Sequence, residues 1–149
     1  MPRRRWATPG AGNVPAMRAL PGASATARLT VTGADTAPAL RSGDVPVLAT
    51  PRLLALCEEA TVAAVALFLD EGETTVGTRV ELEHLAPSAV GARVEAAAFL
   101  EAVEGQALAF AVTARQGDLL VGRVTVHRLV VDRLRFLERA GGRPREAVD

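Results

Sequence analysis

Three ionisable residues fall on surfaces that the surrounding sequence marks for packing, and together they could do acid–base or nucleophilic chemistry. Glu58 lies in residues 51–69, a stretch apolar on nearly all sides that reads as a buried helix. A carboxylate there must be paired, protonated or employed, because burying it alone is costly. In residues 74–85, Val76, Val80, Leu82 and His84 share one side of a strand, while Thr75, Arg79, Glu81 and Glu83 make a solvated opposite side. In residues 119–132, Arg128 shares its side with Leu120, Val124, Val126 and Val130. A Glu, a His and an Arg aimed into one interior are expected to meet. Arg128 would neutralise Glu58, a bidentate pair would orient the carboxylate, and a held carboxylate near a histidine is a working acid–base or nucleophilic site.

Each residue also has a plain structural reading. His84 could be a satisfied, partly buried histidine. The Arg128 stem could cover an apolar edge while its head reaches water. Glu58 could be a second solvent-facing residue beside Glu59, which lies about 100° away around the helix. Cys57 has no basic neighbour in sequence and reads as core packing; His127, of opposite parity to Arg128, reads as structural.

The elements that must position these residues follow from periodicity and turn chemistry. Residues 27–33 alternate like a first strand, and 34–49 hold three turn or loop signals. Thr50-Pro51 opens the helix, Thr as an N-cap and Pro at the first helical position; Asp70-Glu71-Gly72-Glu73 closes it. Four strand-like runs follow, at about 74–85, 92–104, 106–116 and 119–132, with Glu104-Gly105 and Gln116-Gly117-Asp118 short enough for hairpins. The expected class is α+β: a curved antiparallel sheet wrapped around one long central helix. Residues 1–26 read as a flexible Arg/Pro/Gly-rich tail, 27–138 as the folded domain, and 139–149 as a flexible C-terminal tail.

Composition sets outer bounds. The 149 residues suffice for one domain with a proper core, and 49% hydrophobic with 23% charged residues is ordinary for a soluble protein. Net charge is zero, so nothing electrostatic argues for nucleic acid or an anionic membrane. All 17 basic residues are Arg, which fits a GC-rich genome and carries no functional weight. One cysteine excludes an internal disulfide and suits a reducing, cytoplasmic setting. The opening Met-Pro-Arg-Arg-Arg-Trp looks like the basic start of a signal peptide, but no apolar segment follows it. The apolar stretch 53–69 is interrupted by Glu58 and Glu59, against a membrane span.

The order of elements resembles the hotdog fold, and the motif residues are more specific. Thr50 lies eight residues before Glu58, Gly77-Thr78 seven before His84, and His127-Arg128 follows on the last strand. This constellation resembles the hotdog thioesterases of the fluoroacetyl-CoA thioesterase type over about residues 27–137. The resemblance implies that Thr50, Glu58 and His84 are catalytic, that Gly77 lines the thioester site and that Arg128 steadies Glu58. From the sequence alone Thr50 remains an N-cap and Gly77 a strand bulge. The family pattern includes bulky aromatics in the lid before the helix; residues 41–49 here contain none, which points to another short- or medium-chain acyl thioester.

The implied activity is hydrolysis of an acyl-CoA or acyl-carrier thioester, with no metal and no resident cofactor, coenzyme A entering as part of the substrate. The implied assembly is a homodimer, or a tetramer built from two, with the site at the subunit boundary. Two alternatives stay open on the same fold: a non-hydrolytic acyl-CoA or acyl-carrier binding module, and a hydratase of enoyl or hydroxyacyl thioesters. The second usually needs an acidic residue shortly after the histidine, whereas Leu-Ala-Pro-Ser follows His84.

Overall fold

The computed structural model of the chain describes residues 21–141; of the tails expected at 1–26 and 139–149, residues 1–20 and 142–149 lie outside the described residues. The elements run β1 (Ser24–Thr30), α1 (Ala37–Leu40), α2 (Thr50–Val65), β2 (Glu73–His84), β3 (Arg93–Glu104), β4 (Ala107–Gln116), β5 (Leu119–Asp132) and α3 (Arg133–Arg139). The five strands form one sheet in the order β1-β3-β4-β5-β2, with every neighbouring pair antiparallel. The expected α+β architecture is the one observed, and β2 to β5 begin and end within one residue of the positions read from alternation.

Strand β1 starts at Ser24, three residues ahead of the expected 27–33. Ser24, Ala25 and Thr26 pair with Phe99, Ala98 and Ala97 of β3, so they belong to the sheet and not to a tail. Their small side chains carry too little apolar contrast for alternation to reveal them. The tight β3–β4 and β4–β5 connections place Gly105 and Gly117 at φ of 62° and 60°, the left-handed conformation that glycine adopts at least cost.

Helix α2 buries Leu53, Leu56, Cys57, Ala60, Thr61, Ala64 and Val65. Their spacing of three and four residues draws one continuous stripe, and the stripe packs mainly on β1 and β3. Full burial of a Leu or Val contributes about 1.5–3 kcal/mol, so this stripe anchors the helix. The wrapping is less complete than expected: Val62 is 45% exposed, and Leu67, in the 3-10 turn Ala66–Phe68 that follows α2, is 95% exposed. With the helix over the β1–β3 half, the β2 side of the concave face lies open, and Val80 there is 38% exposed.

Strand β2 carries an irregularity that alternation alone cannot foresee. Its pairing with β5 shifts register between Gly77 and Arg79, leaving Thr78 as an extra residue. Parity therefore reverses upstream of the bulge. Thr75, expected on the solvated side, is buried, and Val76, expected inside, is only half-buried.

Candidate active site

Thr50 is the first residue of α2, and the N-cap is Ala49 in an extended conformation. This corrects the expectation that Thr50 caps the helix. The Arg52 and Leu53 amides both donate to the Ala49 carbonyl, at 3.0 and 2.9 Å, and Pro51 has no amide hydrogen. The Thr50 hydroxyl is free for another partner, and it lies 2.8 Å from Nδ1 of His84 at the end of β2. Close packing makes this meeting possible: a Cβ on Gly122, the β5 partner of His84, would come within 3.0 Å of Leu53 Cδ2 on α2.

The loop before α2 is tied down to present Thr50. The Asp35 carboxylate accepts from the Thr32 amide and hydroxyl at 2.8 and 2.9 Å and from Arg52 Nε at 3.0 Å. The hydrogen bond donated by the Thr32 amide chiefly holds the Asp35 carboxyl below its usual value, with the Thr32 hydroxyl and Arg52 adding to it and burial opposing. Thr36 bridges Leu48, and the Leu48 amide donates to the Ser88 carbonyl at 2.8 Å.

His84 is half-buried, and burial lowers its pKa, the Ala86 backbone pulling weakly the other way. A neutral imidazole is therefore favoured. Its Nε2 is buried without a hydrogen-bond partner among the described residues. Unpartnered buried nitrogen is uncommon, and here it sits on the ring that Thr50 orients.

Glu58 lies two turns further along α2, its side chain 35% exposed, so it sits at the margin of the packed stripe and not in its middle. Oε2 accepts from Arg128 Nη1 at 3.3 Å. The contact is single, not the bidentate pair expected, because the rest of the guanidinium is engaged elsewhere. Arg128 is 7% exposed; its Nε donates to Thr75 Oγ1 at 2.9 Å and its Nη2 to the Thr75 carbonyl at 3.1 Å. Burial lowers the Arg128 pKa, and the charge and hydrogen bond of Glu58 offset only part of that; a guanidinium stays ionised throughout. Gly77, opposite Arg128 in the β2–β5 register, faces this pair: a Cβ there would lie 2.8 Å from Glu58 Oε2.

The candidates thus assemble as two groups. Thr50 and His84 form one; Glu58, Arg128 and Gly77 form the other. Thr50 and Glu58 are separated by about 12 Å of rise along α2, and no hydrogen bond or ion pair joins the groups. The meeting of Glu, His and Arg expected from parity is met for Glu58 and Arg128 but not for His84, which reaches Thr50 instead. Thr75 was missed because the bulge reverses its parity, and Gly77 in the strand was the available cue. An open cleft of about 400 Å³ reaches Thr50 and His84, with Ala37, Val45, Val47 and Ala49 among its apolar lining. Among the described residues, no three His, Cys, Asp or Glu side chains gather as a metal site, and no helix is long and apolar enough to cross a membrane.

Residues 31–134 match the family described as fluoroacetyl-CoA-specific thioesterase. The chain belongs to this family. It is 36% identical over 90 residues to the fluoroacetyl-CoA thioesterase of Streptantibioticus cattleyicolor, a match spanning 60% of this chain and 65% of that relative's length. A crystal structure of a mutant fluoroacetyl-CoA-specific thioesterase superposes with a TM-score of 0.78 at 29% identity, covering 83% of this chain and 96% of the other. A thioesterase-superfamily member from Thermus thermophilus gives 0.78 at 30% identity, over 84% of this chain and 93% of the other. A hotdog-like protein from Thermanaerovibrio acidaminovorans gives 0.71 over 91% and 100% of the two chains, at 24% identity, which speaks to the fold alone. The family's architecture is the hotdog fold observed here.

Proposed function

We propose that the protein hydrolyses an acyl-CoA thioester of short or medium chain length, with coenzyme A as part of the substrate and no resident cofactor. The observation that carries this reading is the Glu58 carboxylate, held by a buried Arg128 against a glycine with no side chain to displace it. In this reading Thr50, at the helix start, faces the reacting carbonyl where the helix dipole favours developing negative charge. Glu58 acts as nucleophile or as general base toward water. His84, oriented through Nδ1, leaves Nε2 to move protons. Water's oxygen ends on the acyl carbon, the carbon–sulfur bond breaks, and the thiolate takes up a proton. Membership of the family supports the reaction class; the open cleft and the absence of aromatics in 41–49 favour an acyl group less restricted than fluoroacetyl.

The separation of the two groups favours a site shared between two copies. A second β2 edge running antiparallel to the first would bring Gly77 and Glu58 of one copy toward His84 and Thr50 of the other. Pairing would also cover an exposed sheet edge and the apolar residues beside it. The protein in this reading is a homodimer, or a tetramer of two such dimers.

A panel of acyl-CoA esters scored for free thiol release, beside Glu58→Gln, tests the activity. Release that the variant loses supports it. Ligand binding without release, or full turnover by Glu58→Gln, would overturn it and identify a binding module or a different chemistry.

A further inference from the structure

We propose that Thr75 is a positioning residue of this site, one that sets the Glu58 carboxylate through Arg128. The proposal rests on the hydrolytic reading above. Thr75 is buried and is held by no recognisable sequence motif, yet it accepts two of the hydrogen bonds that Arg128 donates: Nε to Oγ1 at 2.9 Å and Nη2 to the carbonyl at 3.1 Å. The third runs from Nη1 to Glu58 Oε2. A guanidinium is planar and rigid, so fixing Nε and Nη2 fixes where Nη1 lies. Thr75 thereby decides which point in space the carboxylate can occupy.

The backbone is arranged for this purpose. Without the bulge at Thr78, Thr75 would share the solvated side of β2 with Arg79 and Glu81; with it, Thr75 and Gly77 turn inward together. Gly77 then leaves the space that Glu58 fills, and Thr75 supplies the acceptors that aim Arg128 there. The Glu58–Arg128 contact is single and, at 3.3 Å, longer than the usual charge-assisted bond. A pair so loosely joined depends on what holds the arginine from behind. Serine at this position would keep the acceptor; valine would keep the shape and remove it, leaving Nε buried without a partner.

The test compares Thr75→Val with Thr75→Ser in the full-length protein, using the acyl-CoA ester that the wild type hydrolyses fastest. The expected result is a fall in kcat of about tenfold or more for Thr75→Val, with KM changed less than about twofold, and near-normal kcat for Thr75→Ser. In an Arg128→Lys background, which has no Nε hydrogen at that place, Thr75→Val should cost little further, because the two residues act as one unit. If Thr75→Val does not fold, Thr75→Cys replaces it, and its weak sulfur acceptor should put kcat below that of the serine variant. Equal rates for the valine and serine variants, or losses that multiply in the Arg128→Lys background, would overturn the positioning role while leaving the hydrolase intact. Absence of thiol release by the wild type would instead overturn the reading beneath it.

Discussion

Glu58 Oε2 occupies the space that Gly77 leaves empty: a methyl group on Gly77 would sit 2.8 Å from that oxygen and 3.5 Å from Arg128 Nη1. The carboxylate and the strand backbone are therefore fitted to each other, and the fit is tighter than van der Waals contact permits for carbon. Gly77→Ala should displace Glu58 and lower kcat by about tenfold to a hundredfold. Gly77 has no left-handed φ to lose, and an exchange of Gly for Ala in a strand is otherwise tolerated. Thermal denaturation should thus change by only a few degrees. A variant with wild-type kcat would show that the carboxylate does not work from this position.

Two inactive variants should rescue each other if the site is shared between copies. Glu58→Gln retains Thr50 and His84, and His84→Ala retains Glu58 with Arg128 and Gly77. Mixed dimers of the two contain one site with every residue intact. Co-refolding equal amounts should restore about a quarter of wild-type thiol release, since half of the dimers are mixed and each has one working site of two. No recovery in demonstrably mixed dimers would place each site within a single chain, and a monomer in light scattering at micromolar concentration would remove the dimer itself.

Burial holds the His84 pKa below that of an ordinary imidazole, near 6.5. The ring is neutral at pH 7, and the acid-side loss of kcat/KM that depends on it should fall below about pH 6.5. Between the lowered native value and the ordinary value of the unfolded chain, the unfolded chain binds the extra proton. Folding stability therefore rises with pH across that window; the penalty is absent above it and fully present below it. Proton NMR can follow His84 directly, because His127 is the only other histidine and His127→Gln removes its signal. A native midpoint at or above that of the denatured chain would contradict this account.

Cys57 should be inert. It is buried in the α2 stripe, and burial pushes its thiol up to about 12, the charge of neighbouring Glu58 adding to the effect. A thiolate is then essentially absent at neutral pH. An aromatic disulfide reagent should find no thiol in the native protein and one per chain in denaturant. Cys57→Ala should retain thioester hydrolysis while losing about 1–2 kcal/mol of stability to the cavity. Rapid native labelling, or an inactive yet folded Cys57→Ala, would return the cysteine to consideration as a nucleophile.

Local sequence was sufficient for α2 and for β2 to β5, because their signals are local; the start of β1 and the short helices α1 and α3 were not legible in it. The long apolar run behind Thr50-Pro51 marks the helix, alternation marks β2 to β5, and Gly105 and Gly117 mark the two tight turns; which stripe of the helix is buried is read only from the structure. Local sequence also marked Glu58 and Arg128, a charge of each sign in apolar company, as partners across 70 residues. Residue order could not reveal what the bulge does. One extra residue at Thr78 exchanges the two faces of β2 upstream, so Thr75 becomes the support of Arg128 although its neighbours suggest a solvated strand. Nor could it show that His84 meets Thr50, because that contact exists only where the first turn of α2 packs over Gly122 and reaches the end of β2. Periodicity records which way a side chain points relative to its own neighbours. Which partner waits there is decided by register and helix placement, and these come from long-range packing of the sheet against α2.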